Sequence, residues 1–452
     1  MIETYTRQLN TLWDADVVVV GSGTAGTNAA IAAARNGAKT VLVERFGFLG
    51  GTSTQVLDTF YGFYTPGSVA YKVVGGIPDD VVAALKSYNA AFERPNSFGS
   101  GTGITYDPSI LKIVWETLAL QAGVQLLYHS FCTDVVMEGS RVCGVVLDGK
   151  RGLLKINALV VVDCSGDADV CHWAGVPYER AGEIDPAQTL TTTFRMVNVD
   201  TTRAQAFGKK ALWQKMEEVA ENGKYQLPRR EGSWHITTQA GVIHTNMTRV
   251  ADIDGTHPVA LTAAEIEGRH QALEYSRFLR DCIPGYENAS LSWLSHPIGV
   301  RETRRIYGAY RLTRDDCLTG RKFPDAVGAC GAPIEDHRAG KDTAWVYLPD
   351  GMTYDIPYRT LLPQKVTGLL VAGRCFSATH DAHASCRSMA QTMTMGQAAG
   401  TAAALAVGKD VLPHELEATL LQERLRQMGA KFGDIRAERA SENDAKGDVS
   451  HD

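Results

Sequence analysis

No block of basic residues stands out in this chain. It carries 45 basic and 51 acidic residues and a net charge of −6, which argues against nucleic acid as a partner. No apolar run reaches the roughly 20 residues needed to span a bilayer. The N-terminus, MIETYTRQLNTLWDAD, has no charged segment followed by an apolar one, so no secretory signal is expected and the expected location is the cytoplasm. Nine cysteines occur, and none forms a C-x-x-C pair. An odd, scattered set in a long chain points to buried thiols rather than a disulfide framework, and its spacing suits neither zinc nor an iron–sulfur cluster. Cys375 and Cys386 fall in a motif described below, so a redox role stands beside the plainer reading of packing. What is present is ordinary globular composition. With 44% hydrophobic and 21% charged residues, the 452-residue chain can hold two domains, or one large domain with an insertion.

The most informative stretch is DVVVVGSGTAGTNAAIAAARNGAKTVLVERFGFLGGT, residues 16–52. Val17 to Val20 read as a buried parallel strand. Gly21, Gly23 and Gly26 follow in G-x-G-x-x-G spacing, an Ala-rich helix runs from Ala25 to Arg35, and a second strand, Thr40 to Val43, ends at Glu44. The three glycines serve in turn for a tight turn, for close approach of backbone to a pyrophosphate, and for close packing of helix on sheet. The helix start offers free N–H groups and positive dipole charge to that pyrophosphate, and Glu44 can accept hydrogen bonds from a ribose. A lone glycine triplet is weak evidence. With strand, helix, second strand and acid all in place, the stretch predicts a dinucleotide site.

Arg45 and the loop Leu49-Gly50-Gly51-Thr52 come next, either a surface turn or a wall for the rest of a long cofactor. Residues 54–106 mix aromatics and glycines around a helix near 79–89, and read as an excursion that walls a substrate pocket. A helix is expected over 107–123. Runs at 124–129, 132–138 and 141–147 alternate like antiparallel strands. A buried strand, Ala158 to Asp163, leads into Cys164-Ser165-Gly166-Asp167, returning N–H groups and a carboxylate to the crevice where ligands sit in open parallel sheets. The plainer reading of Asp167 is a helix N-cap. From residue 177 the character changes: long strands at 189–199 and 235–250, a helix at 261–283, and the basic run Arg301-Glu302-Thr303-Arg304-Arg305. The last motif, 368–405, has a buried strand meeting Gly373-Arg374, then a loop with His380, His383 and Arg387, then a small-residue helix containing Gly396-Gln397. That helix reads as packing on the first βαβ unit, its N-terminus also suited to an anionic group. The final segment is charged and nearly free of apolar residues.

Taken together, GSGTAG with Glu44, LGGT, VVDCSGDADV, IGVRETRRI, DIPYR and VAGRCFSATHDAHAS with the later GQAAG resemble the FAD-dependent oxidoreductases of the two-dinucleotide-binding-domain flavoproteins, distantly similar to the glutathione-reductase and fumarate-reductase groups. The resemblance covers nearly the whole chain. It implies an α/β fold: a Rossmann-like FAD-binding domain with a parallel sheet at 1–176 and 350–428, and an inserted α+β substrate domain with a mixed or antiparallel sheet at 177–349. A charged tail would follow over 429–452. It further implies FAD pyrophosphate at Gly21, Gly23 and Gly26 and ribose at Glu44. Arg45, Gly50, Gly51 and Thr52 would line the cofactor's path, Asp167 would close it, and Gly373, Arg374, Gly396 and Gln397 would approach its ribityl and ring. His380, His383 and Arg387 would face the ring, with Arg301 reaching in from the second domain. Two departures stand out. Ala390 replaces a proline common in the family, and there is neither a second G-x-G-x-x-G unit for NAD(P)H nor a C-x4-C dithiol, which excludes a disulfide reductase.

The implied chemistry is oxidation of a small CH–OH or CH–NH substrate by hydride transfer to flavin N5. His380 or His383 would take the proton, and Arg387 and Arg301 would hold a carboxylate or stabilise negative charge. The alternatives are reduction of an activated C=C bond, or a flavin subunit of an electron-transfer complex. A metal site at His380-x-x-His383 lacks a third ligand at suitable spacing, so none is expected. The electron acceptor (oxygen, a quinone or a redox protein) and the oligomeric state, a homo-oligomer included, are open.

Overall fold

The computed structural model describes residues 6–433, save 339, 341 and 350. Residues 1–5 and 434–452, on which part of the reading of the two termini falls, lie outside the described residues.

The largest sheet is seven-stranded and organised on Leu9–Val20. Thr40–Val43 and Gly152–Asp163 pair with it in parallel, Gln125–Leu127 extends the parallel set beyond Thr40–Val43, and Leu369–Val371 pairs in parallel with the end of Gly152–Asp163. Phe131–Glu138 and Arg141–Gly149 add an antiparallel hairpin at the other edge. The run after residue 123 is therefore parallel to the nucleotide-motif strand, whereas alternation alone predicted an antiparallel partner. Strand direction depends on which neighbour the chain meets, and alternation is blind to that.

The four-valine run is buried because both faces of the sheet are covered. Val17 and Val19 belong to the core under the helices Thr24–Arg35 and Met389–Lys409, while Val18 and Val20 point to the opposite core with Cys171, Ile306 and Cys375. The two helices touch backbone to backbone. A Cβ on Gly396 would stand 2.0 Å from the Ala25 carbonyl oxygen, and one on Gly400 would stand 2.0 Å from that of Ala29. Gly26 is tighter still, 1.7 Å from the Gly21 oxygen. These positions admit only hydrogen as a side chain.

Beyond residue 177 the chain forms a four-stranded antiparallel sheet in the order Ser233–Ile236, Ile243–Asn246, Phe194–Val197, Ser290–Leu294, with its own core beneath the helices Lys209–Glu221 and Pro258–Cys282. The long strand expected at 235–250 is a hairpin, turned at Gly241 with φ +70°. The stretch with His380 and His383 is a short helix, His380–Cys386, rather than a loop. No helix among the described residues is long and apolar enough to cross a membrane. At the start of the C-terminal segment Phe432 is buried, and the Gly433 carbonyl accepts from Lys322 at 2.8 Å.

Candidate active site

One cavity of about 1590 Å³ runs from the first glycine motif to the antiparallel sheet. That exceeds the roughly 300–1,000 Å³ of an ordinary small-molecule pocket, and leaves room for a dinucleotide with a substrate beside it.

Its first end is made of backbone. Gly21, Gly23, Thr24 and Ala25 line it, and the helix Thr24–Arg35 starts at Gly23 without a side-chain cap, so its first N–H groups face the cavity unclaimed. A Cβ on Gly23 would meet no protein atom within 4 Å, so this glycine keeps space open for something other than protein. Glu44 is buried, accepting from Ser22 N at 2.9 Å, Ser22 Oγ at 2.6 Å and Phe46 N at 2.9 Å. It still lines the cavity with Arg45, Gly51 and Thr52. A negative dinucleotide with a ribose fits this end. Gly50 sits behind the wall, its N–H donating to the Ser22 carbonyl at 2.8 Å.

The seam between the strand ends is stitched at Asp167. It accepts from Arg374 at 2.8 Å and Thr303 at 2.9 Å, and its carbonyl accepts from Arg304 at 2.8 Å. Asp167 is not the helix N-cap: Ala168 holds that place at φ +56°, and Ser165 Oγ accepts from Asp169 N at 2.9 Å. Asp169 also lines the cavity. Burial, then the charges of Asp167 and Asp163, raise it to about 6 against the pull of Arg304.

The middle of the cavity is cationic. Arg229, Arg301 and Arg387 converge there from three segments. Arg301 donates to the Thr189 carbonyl, Arg387 to Gln188 Oε1 at 2.9 Å, and Arg229 to the carbonyl and side chain of Asn246 at 3.0 and 3.2 Å. The buried Nε atoms of Arg229 and Arg387 have no hydrogen-bond partner among the described residues. Burial, then Arg387 and Arg229, push Arg301 well below its ordinary pKa. Glu335 is the nearby counter-charge: burial opposes its ionisation, yet His337, Arg387 and Arg301 bring it down to about 2. Glu231, also in the wall, acts on Arg229, and Asp336 acts on Arg387; the guanidinium groups gathered here still offer an anion several donors.

Six of the expected site residues do not line the cavity, Gly26 and Gly50 among them. Gly396 packs on Ala25, and Gln397 accepts from Ile77 N at 2.8 Å. His380 sits between Glu302 and Asp336, at 3.0 and 3.3 Å. His383 is buried against Phe376 and donates from Nε2 to the Arg374 carbonyl at 2.8 Å; burial, then Arg305 and Arg387, hold its pKa well below the ordinary value. Gly26 also lies under the wall, as the motif requires. Conversely, Gln55, Arg229, His235, Glu335 and His337 line the cavity without having stood out in the sequence. For His235 a signal existed: SWHI and IHTN each carry a histidine inside a strand-like alternation, a costly choice unless polar groups meet there.

The model of the family described as FAD dependent oxidoreductase matches residues 16–425. The chain belongs to that family, and FAD is its cofactor. It is also 24% identical over 192 residues to the digeranylgeranylglycerophospholipid reductase of Picrophilus torridus, a match covering 41% of this chain and 47% of that one. With the thiamine thiazole synthase of Methanococcus maripaludis it shares 29% over 168 residues, 35% of this chain and 59% of the other. The chain thus spans about half the length of the curated relatives it matches. Among solved structures, the flavin-dependent brominase Bmp2 superposes with a TM-score of 0.49 at 14% identity, over 92% of this chain and 83% of the other. A geranylgeranyl bacteriochlorophyll reductase-like protein of Thermoplasma acidophilum does so with 0.44 at 13%, over 93% and 85%.

Proposed function

We propose that this flavoprotein oxidises a small organic anion, a carboxylate carrying a CH–OH or CH–NH group. The observation that carries the reading is the convergence of Arg229, Arg301 and Arg387 on one cavity with Glu335 as the nearby counter-charge. When bound, the flavin supplies the two-electron acceptor chemistry.

The chain's own residues supply the rest. Gly21, Gly23 and the uncapped helix start would hold the pyrophosphate, Glu44 a ribose, and Arg45, Gly51 and Thr52 the flank. Asp167 and Arg374 would lock the two loops that close on the cofactor, and His383 would steady that lock through the Arg374 carbonyl. Arg301 and Arg387 would orient the substrate's carboxylate in a site walled from bulk water, where their charge acts strongly. A second reading has the same support from the arginines: reduction of an activated C=C bond in a dicarboxylate.

The test is anaerobic spectroscopy of the purified holoprotein against paired donors, each hydroxy or amino acid matched with its neutral alcohol or amine. Bleaching of the flavin bands by the acids alone is expected. Bleaching by neutral donors equally well would overturn the anion reading. Failure with every donor, together with reoxidation of the reduced protein by an unsaturated dicarboxylate, would establish the second reading.

A further inference from the structure

At the far end of the cavity a carboxylate is buried for no reason of packing. Asp58 is fully buried, and basic side chains from two later segments converge on it. Arg195 donates to Oδ2 at 3.1 Å, His235 Nε2 stands 2.7 Å from Oδ1, and His244 Nδ1 is 3.5 Å from Oδ2. Burial acts to raise the Asp58 pKa, but His244, His235 and Arg195 outweigh it and hold the group below the usual carboxylate range. A buried anion is costly unless paired, so the cluster stands only because all its parts are present.

The two histidines differ. His244 is enclosed; burial brings it down to about 3, and neither ring nitrogen has a hydrogen-bond partner among the described residues. Its ring lies 5.3 Å from that of His235. His235 lines the cavity. A carboxylate only accepts, so Nε2 carries the hydrogen donated to Asp58, and in the neutral ring the remaining lone pair is on Nδ1. Nδ1 has no partner among the described residues, and Thr59 Oγ1, at 3.3 Å, is on the Nε2 side.

We propose that His235, oriented by Asp58, is the group that exchanges a proton with the substrate in this cavity. The proposal rests on the reading of the cavity as the substrate site of an oxidoreductase. It also accounts for the anion subsite. Ser233 and His235 are two residues apart on one strand, hence on one face and roughly 7 Å from each other. Ser233 pairs across the hairpin with Asn246, to which Arg229 donates. A small acid held at Arg229 would therefore lie beside the strand face that carries His235. In the oxidation, the substrate O–H or N–H bond breaks and its proton passes to His235 Nδ1. The bound flavin would supply the acceptor for the C–H electron pair, which would leave as hydride as a C=O or C=N bond forms. The imidazolium then sits against Asp58, with Arg195 and His244 beyond the carboxylate and Arg94 linked through Thr105 and Thr59.

The test uses holoproteins of the wild type, His235→Gln and Asp58→Asn, each checked for flavin content and far-UV circular dichroism. Anaerobic rates of flavin reduction are followed against pH. His235→Gln, which keeps a donor to Asp58, is expected to bind a non-reactive carboxylate within about threefold of wild type. Its flavin reduction should slow by roughly 10²–10⁴-fold and lose one pH inflection. In parallel, diethyl pyrocarbonate modification is mapped by mass spectrometry. His235 should be labelled and then protected by the carboxylate, while His244 stays unlabelled. Wild-type rates and pH profile in His235→Gln would overturn the proposal, as would an unlabelled or unprotected His235. If Asp58→Asn fails to fold, the His235→Gln result decides alone. If no donor reduces the wild-type flavin, the oxidation reading falls separately, and labelling with protection decides whether His235 meets the ligand.

Discussion

The two ends of the cavity are built from different materials. The nucleotide end is backbone: a glycine turn, an uncapped helix and a carboxylate already committed to Ser22 and Phe46. The substrate end is side chain: guanidinium groups from three segments and an imidazole leaning on a buried aspartate. A backbone site has fixed geometry and recognises a group shared by many ligands. A side-chain site can be retuned one residue at a time, and on the proposed function it is there that the substrate would be chosen.

The sharpest way to break the contrast is to substitute within the glycine motif. Gly26→Val should cost about 3 kcal/mol or more, since its first carbon already meets the Gly21 oxygen at 1.7 Å; urea unfolding would show it. Gly23→Ala has φ −58° and no protein neighbour, so stability should change by no more than about 0.5 kcal/mol. Its FAD affinity, read by fluorescence titration, should nonetheless fall by about tenfold or more. At the other end, Arg301→Met should lower kcat/KM for carboxylate substrates by roughly 30- to 150-fold, about 2–3 kcal/mol. Neutral analogues should be unaffected, and the melting temperature of the substrate-free protein should hold or rise, because a buried, poorly compensated charge has been removed.

Between the two ends, Asp169 gives a pH signature. Its folded pKa of about 6 lies above the ordinary 3.8, so the native state holds the proton more tightly. The stabilisation is full below pH 3.8 and is lost as pH rises through about 6, to the extent of about 3 kcal/mol. Asp169→Asn should flatten that fall in thermal melts from pH 4 to 7. The smallest effect is expected at His383. His383→Gln should cost about 1 kcal/mol through the weakened bond to the Arg374 carbonyl, with the pH profile of flavin reduction unchanged.

Legibility followed sequence distance. Gly21, Gly23, Gly26 and Glu44 lie within one βαβ unit, whose local geometry leaves little freedom, and residue type with spacing was enough to read them. Arg301 and Arg387 were expected at the site from the motifs that resemble the family, and both line the cavity. His380 and His383 carried the same signal, yet one meets Glu302 and Asp336 and the other the Arg374 carbonyl. An imidazole that satisfies a buried polar group is indistinguishable in sequence from one that meets a ligand. Gly396 belongs to the same class: smallness was visible, but whether it served a cofactor or a neighbouring helix was not.

The order of strand, turn, helix and acid by itself determined a dinucleotide site, because hydrophobic period, glycine and helix capping are properties of neighbouring residues; FAD and the family came with the later motifs. Only the tertiary structure decided the substrate end. Asp58, Arg195, His235 and His244 lie on segments whose meeting depends on a hairpin turned at Gly241 and on its pairing with Phe194–Val197. The orientation of His235 comes from that meeting, since an imidazole alone has no preferred tautomer until a carboxylate reaches it.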